Sequence, residues 1–312
     1  MHLPHLNLSE KKQLMRLATY ASVGVAVLLI TVKFIAWFFS GSLSLQATLI
    51  DSVLDAAASF VNLLAVKHSL EPPDAEHRFG HGKLEAIAAL GQSLFITASA
   101  AWLVYEAGTR LYHPVPLQKT SLGIGVMLLS IACTFLLIKF QKYVVSRTNS
   151  AAIKADSIHY QSDLIINLGV IFSLAASALL GLHWVDPIIG AVIALYILYT
   201  AWMIVVEAFN ILMDHELSHE VRQKIKEITL SSHPDIRGMH DLRTRSSGIQ
   251  NFIQLHLELD PAMPLQKCHE IAEKVEANLH KVFPHAEILI HQDPEGIKEK
   301  RDNFTRNPLT SS

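Results

Sequence analysis

Two short runs set ionisable side chains inside otherwise apolar sequence. The run TLIDSVLDAAAS carries Asp51 and Asp55, and the run HYQSD carries His159 and Asp163. Both pairs have i,i+4 spacing, which on a helix stacks the two groups on one face. A charged side chain in hydrocarbon is costly and usually has a task there. If the two faces meet, three carboxylates and an imidazole converge, and four N/O ligands suit a tetrahedral Zn²⁺. Ligands must shed protons to bind, so metal and protons compete for such a site. An imidazole, with an unperturbed pKa of about 6.5, exchanges its proton near neutral pH. Two other readings stay open: a proton relay without metal, and hydrogen-bonded packing between helices. Packing alone is a poor account of matching pairs on two separate helices.

Two further clusters stand outside the apolar runs. Asp74, His77 and His81 lie in EPPDAEHRFGHGK, where Pro72, Pro73 and Gly80 predict a structured loop. Three ligands leave a position for water, which suits a weak or transient site; a solvated polar loop is the alternative. Nearer the C-terminus, His240 stands in MHDLRTR, His256 on the polar face of FIQLHLEL, and His291 and Asp293 at i,i+2 in ILIHQDP. His269 lies beside Cys268. Neutral imidazole is the ligand class that suits Zn²⁺ and Cd²⁺ over Mg²⁺ or Ca²⁺. Several of the 17 histidines, such as His2, His5 and His113, have no comparable context.

These residues need elements to hold them. A helix crosses a bilayer in about 20 apolar residues. Six stretches qualify: Leu17 to Phe39, Leu43 to Val66, Leu84 to Tyr105, Leu122 to Phe140, one ending near Leu182, and Val185 to Met213. For His159 to share a depth with Asp51 and Asp55, the fifth helix must begin near Ala151. The polarity of SAAIKADSIHY then predicts a water-filled inner cavity. Lys11, Lys12, Arg16, Lys67, Arg78, Lys83, Lys139, Lys142, Arg147 and Lys154 fall in gaps on one side, against Arg110 and Lys119 on the other. That bias predicts a multi-pass protein with both termini in the cytoplasm.

After Asp214 the pattern changes. HEVRQKIKEITL predicts an amphipathic helix, and 238–245 and 252–259 predict strands. In the second, Ile253, Leu255, Leu257 and Leu259 alternate with Phe252, Gln254, His256 and Glu258, the period of a half-buried strand. A helix over 264–282 and a strand over 286–293 complete an αββαβ unit. The expected architecture is an all-α six-helix transmembrane domain over 14–213, an N-terminal cytoplasmic segment over 1–13, a cytoplasmic α+β metal-binding and dimerisation domain over 214–293, and a loose tail over 294–312.

Composition agrees. Half of the 312 residues are hydrophobic and only 17% charged, too apolar for an ordinary soluble domain. With 26 basic against 28 acidic residues, nucleic acid is not an expected partner. Cys133 and Cys268 are too far apart in sequence to form a disulfide framework. The N-terminal apolar run has no small-residue cleavage site, so no removable signal peptide is expected. An intramembrane metallohydrolase would need an open metal position and a general base, and no spare base stands near the quartet. A metal receptor without flux would leave the membrane quartet without a task.

The paired aspartates, the HxxxD run, the FGHGK loop and the runs HDLRTR, IQLHLEL and ILIHQDP resemble the cation diffusion facilitator family, from about Leu14 to Pro294. The resemblance implies a secondary transporter, not an enzyme, in the bacterial inner membrane. It would export a divalent cation, Zn²⁺ with Cd²⁺ or Fe²⁺ as further cargo, in exchange for protons. Asp51, Asp55, His159 and Asp163 match the transport site, and Asp74, His77 and His81 the loop site. His240, His256, His291 and Asp293, with His269 as a further ligand, match a two-metal site in a metallochaperone-like tail domain. Lys83 and Asp214 match a charge interlock near the membrane surface, and Ile158 an apolar gate. The implied assembly is a homodimer in the lipid bilayer, its tail domains joined through structural Zn²⁺. Residues 1 to about 13 and about the last fifteen have no clear counterpart.

Overall fold

The computed structural model of the chain describes residues 7–40, 43–112, 121–180, 185–248 and 250–296; some side chains within the helices, that of Asp51 included, lie outside this description. The chain divides into two compact units, Met1–Asn210 and Ile211–Ser312.

The first unit is helical: α1 (Leu8–Ser40), α2 (Leu43–Ser69), α3 (Leu84–Tyr112), α4 (Ser121–Thr148), α5 (Ala151–Leu180) and most of α6 (Val185–Leu212). α5 begins at Ala151, the upstream start that a shared depth of the two acidic pairs demands. Among the described residues four segments are long and apolar enough to cross a membrane: Leu8–Phe39, Leu84–Tyr105, Gly125–Thr148 and Gly190–Leu212. α2 and α5, the helices of the acidic pairs, do not meet that test over their described residues.

The faces of these helices are sorted in the manner of a bundle in lipid. Large apolar side chains point outward, Phe39 at 79% exposed, Leu94 at 70% and Trp102 at 67%. Small and polar residues lie between the helices: Ala18, Ser22 and Ala26 on α1, Ala86, Ala89 and Ser93 on α3, Ala194 and Ala201 on α6. With no hydrophobic drive between helices in lipid, close backbone approach and polar contacts hold such a bundle together. At the start of α5 Lys154 and Ile158 keep partial exposure. Ala151, Ala152, Ile153, Ala155, Asp156 and Ser157 are all buried, because neighbouring helices supply hydrogen-bond partners.

The second unit holds α7 (His219–Ser231), β1 (Gly238–Ser246), β2 (Asn251–Leu259), α8 (Leu265–Val282) and β3 (Ala286–Pro294). The order is the αββαβ read from the periodicity. Ser218 caps α7 by accepting from the Val221 amide. The sheet runs β1-β2-β3, antiparallel then parallel, with α8 as the crossover. Ile253, Leu255, Leu257 and Leu259 pack with Ile225 of α7 and Ile271, Val275 and Leu279 of α8. Strict half-burial of β2 does not hold, however. Phe252 and His256, on its other face, are buried too. The Arg245 guanidinium lies 4.0 Å from the Phe252 ring centroid, and the rings of His240 and His291 flank His256 at 5.1 and 4.6 Å. Leu255 is 1% exposed, so Leu255→Ala is expected to cost about 3 kcal/mol through lost transfer energy and the cavity left behind. Hydrogen exchange of the β2 amides reads this as faster exchange at matched pH.

Candidate functional site

The first site lies between α2 and α5. His159 Nε2 is 3.2 Å from Asp55 Oδ1 and 3.9 Å from Asp163 Oδ2. One imidazole nitrogen thus faces two carboxylates, one from each helix. The His159 side chain is nearly buried, at 6%, whereas those of Asp55 and Asp163 keep 29% and 33% of their surface. The nitrogen is fixed within the bundle while the oxygens can be reached. Ligand atoms of Asp55, His159 and Asp163 all lie within 4.8 Å of one another, a spacing that one cation can bridge. Asp51 stands one turn before Asp55 on α2, and its side chain lies outside the described residues. Ile158, half-buried, precedes His159.

Two buried carboxylates of the first unit were not singled out in the sequence. Asp156, three residues before His159, is 1% exposed. It accepts from Ser22 Oγ of α1 at 2.5 Å and from Gln141 Nε2 of α4 at 2.7 Å. Glu85, at the start of α3, is equally buried and accepts from Ser150 Oγ at 2.5 Å, just ahead of α5. Asp156 lies in the polar run that reads as lining a water-filled cavity, and Glu85 stands at the first turn of an apolar stretch. Only the packing reveals that both side chains are interior.

The loop cluster gathers around one carboxylate. Asp74 Oδ1 accepts from the backbone amides of His77 at 2.6 Å and Glu76 at 2.9 Å. The His77 N–H, foremost, holds the Asp74 carboxyl below the usual carboxylate range and so keeps it ionised. His77 Nδ1 lies 3.5 Å from Asp74 Oδ1, and His81 Nε2 lies 3.3 Å from Asp74 Oδ2. Gly80 at φ +79° lets the chain turn between the two histidines, whose ring centroids are 4.7 Å apart. Lys83 closes this turn, its carbonyl accepting from the Ala86 and Ile87 amides.

In the second unit Asp293 is the hub. Its Oδ2 is 2.6 Å from His256 Nδ1 and 3.4 Å from His240 Nε2, and its Oδ1 is 3.1 Å from His291 Nε2. Register explains the meeting: His240 pairs with His256 across β1 and β2, and His256 with His291 across β2 and β3. His240, His256 and Asp293 form a group of metal-ligating geometry, with the exposed His291 at its edge. His240 Nδ1 is held by Glu258 Oε1 at 2.7 Å, an orienting partner of the kind metal-ligating histidines use.

Asp241 joins this cluster against expectation. A side chain next to His240 in a regular strand would point to the opposite face. The register slips between His240 and Arg243, Asp241 takes φ +46°, and this bulge brings Asp241 Oδ2 to 3.6 Å from His256 Nε2. His269 does not sit with the group: it is exposed on α8 and pairs with Glu273 at 3.4 Å. Asp214, at φ +54° after α6, pairs within its own unit with Arg245 at 3.2 Å.

Comparison with known proteins covers both units. Residues 19–213 match the family described as cation efflux transmembrane domain, and residues 214–295 the one described as cation efflux protein, cytoplasmic domain. The chain is 45% identical over 282 residues to the cation-efflux pump FieF of Serratia proteamaculans, covering 90% of this chain and 93% of that one. It is 46% identical over 283 residues to the cation-efflux pump FieF of Yersinia pestis, covering 91% and 94%. Among solved structures, the metal-bound C-terminal domain of the CzcD transporter from Thermotoga maritima is 26% identical, covers 27% of this chain and 100% of its own, and has a TM-score of 0.25.

Proposed function

Because the chain belongs to the cation efflux, or cation diffusion facilitator, family and is a multi-pass membrane transporter of the FieF type, we propose that its cargo is Zn²⁺, with Cd²⁺ and Fe²⁺ as further substrates, and that protons move in exchange. The carrying observation is the single nitrogen of His159 facing Asp55 and Asp163 from two helices. With Asp51 as fourth member, this is a closed N/O quartet of the kind Zn²⁺ favours.

In this reading all six helices of the first unit span the bacterial inner membrane, α2 and α5 shielded by the other four, with both termini cytoplasmic. The quartet opens to each side in turn, and Ile158 beside His159 closes the path on one side. A cation entering from the cytoplasm displaces protons from the imidazole and carboxylates, and protons from the far side displace the cation. Asp74, His77 and His81 form a transient cytoplasmic loading site, their carboxylate already ionised. Lys83 and Asp214 form the charge interlock of a homodimer.

The second unit fits a structural metal by its donor set: Asp293 held among three imidazoles, Asp241 beside His256, and Glu258 behind His240. Bound Zn²⁺ there would supply a cross-link between strands and, with His269 as the family's further ligand, between the tail domains of two copies. That link makes transport responsive to cytoplasmic metal.

The test is Zn²⁺ uptake into inverted vesicles carrying the full chain. An acid lumen and an alkaline medium are expected to accelerate uptake, since each exchanged proton contributes up to about tenfold per pH unit. Reversing the gradient is expected to suppress it. Uptake indifferent to both gradients would exclude proton exchange.

A further inference from the structure

A buried polar ladder stands one turn from the transport site. Ser59 follows Asp55 by four residues on α2, and Tyr160 follows His159 on α5, so the two helices meet at two polar rungs. One is Asp55 with His159 at 3.2 Å; the other is Ser59 Oγ with the Tyr160 hydroxyl at 2.9 Å. Ser59 Oγ also meets Ser22 Oγ of α1 at 3.4 Å, and Ser22 donates to Asp156 Oδ2 at 2.5 Å. Gln141 of α4 donates to the same oxygen at 2.7 Å. Ser22, Ser59, Gln141, Asp156 and Tyr160 are each 2% exposed or less.

Proton counting fixes the direction of the chain. Ser22 has one hydroxyl proton and gives it to Asp156, so Ser59 donates to Ser22 and Tyr160 donates to Ser59. Every donor points toward one carboxylate oxygen, and such aligned chains reinforce one another. Apolar side chains would join four helices without the cost of burying a carboxylate in the membrane. Hydrogen bonds add what they cannot: a fixed separation and rotation of α2 against α5.

We propose that Asp156 is a positioning residue for transport, which through Ser22 and Ser59 holds α2 against α5 at the spacing where Asp55, His159 and Asp163 close on one divalent cation. Asp156 itself touches no cargo. The inference rests on the reading of those three residues as the transport site.

The experiment measures KM and kcat for Zn²⁺ with the full chain in proteoliposomes, with thermal melting as a control for folding. Asp156→Ala is expected to raise KM about tenfold, the scale on which groups that orient metal ligands act, with kcat per folded protein within about twofold. Asp156→Asn keeps an acceptor oxygen where both donors arrive, and is expected to stay within about twofold of the parent KM. Tyr160→Phe and Ser22→Ala, milder changes, are expected to raise KM about threefold each, and they carry the test should Asp156→Ala not fold. A structural role alone would lower yield and melting temperature and leave the KM of the folded fraction in place; that result overturns the proposal. So does an Asp156→Asn variant as impaired as Asp156→Ala. If His159→Ala abolishes transport while the Asp156, Ser22 and Tyr160 variants keep the parent KM, this inference alone fails. If His159→Ala transports normally, the transport site itself has been misassigned.

Discussion

Replacing His159 by alanine is expected to reduce Zn²⁺ uptake by reconstituted protein at least about a hundredfold, beyond the 10–100-fold typical of losing a group that merely orients a metal ligand. The geometry gives the reason. Among the described residues His159 supplies the nitrogen at the point where Asp55 and Asp163 converge, and its ring is held almost fully buried. Removing it leaves two carboxylates close together without the imidazole between them and takes away the ligand that favours Zn²⁺ over harder ions. Asp163→Asn gives a companion result, because it keeps the shape of the side chain and removes its charge. It is expected to lose uptake by a similar factor while melting within a few degrees of the parent. The measurement is the initial rate of Zn²⁺ accumulation per folded protein, with a pH-gradient dye recording proton movement in the same vesicles. Loss of both fluxes together is the expected pattern. Proton movement that survives while Zn²⁺ uptake disappears would separate two pathways and leave the quartet serving metal alone. Native Zn²⁺ rates in His159→Ala would remove the site from transport.

How much of this was legible in the sequence follows from which physical rule governs each residue. The i,i+4 spacing of His159 and Asp163 reads directly, because a helix has a single period. The αββαβ order reads equally well, since Leu255 and its neighbours alternate with period 2 and the helices of the tail are amphipathic. Asp241 was not legible. Its place beside His256 depends on a bulge, and alternation assigns it to the other face of β1. Asp156 and Glu85 were hidden for a different reason: Asp156 lies in a polar run that reads as lining water, and Glu85 is a lone carboxylate at the edge of an apolar stretch. What buries Asp156 is Ser22 from α1 and Gln141 from α4, partners 134 and 15 residues away. The exposed position of His269 also depends on tertiary structure, since the sequence places it beside the other histidines of the tail without saying which face of the sheet α8 covers.

The tail cluster supports a second large expectation: saturating Zn²⁺ will slow hydrogen exchange of the β1, β2 and β3 amides by up to about a thousandfold relative to chelated protein. A ligand at a thousand times its Kd stabilises the state that binds it by about 4 kcal/mol, and for amides that exchange through unfolding of the sheet this appears as slowed exchange. The register makes the effect specific. His240, His256 and His291 are aligned on adjacent strands, and Asp293 contacts all three, so one ion held by this set resists separation of every strand pair. His256→Ala is expected to abolish the increment. Leu255→Ala, which weakens the opposite face of the same strand, is expected to lower protection with and without Zn²⁺ by the same factor, leaving the increment intact. That contrast separates a metal bound at the cluster from a general effect on the fold. Equal exchange in Zn²⁺ and in chelator would mean that Asp293 gathers its histidines as hydrogen-bond partners only, and the structural metal would have to be given up while the membrane site stands.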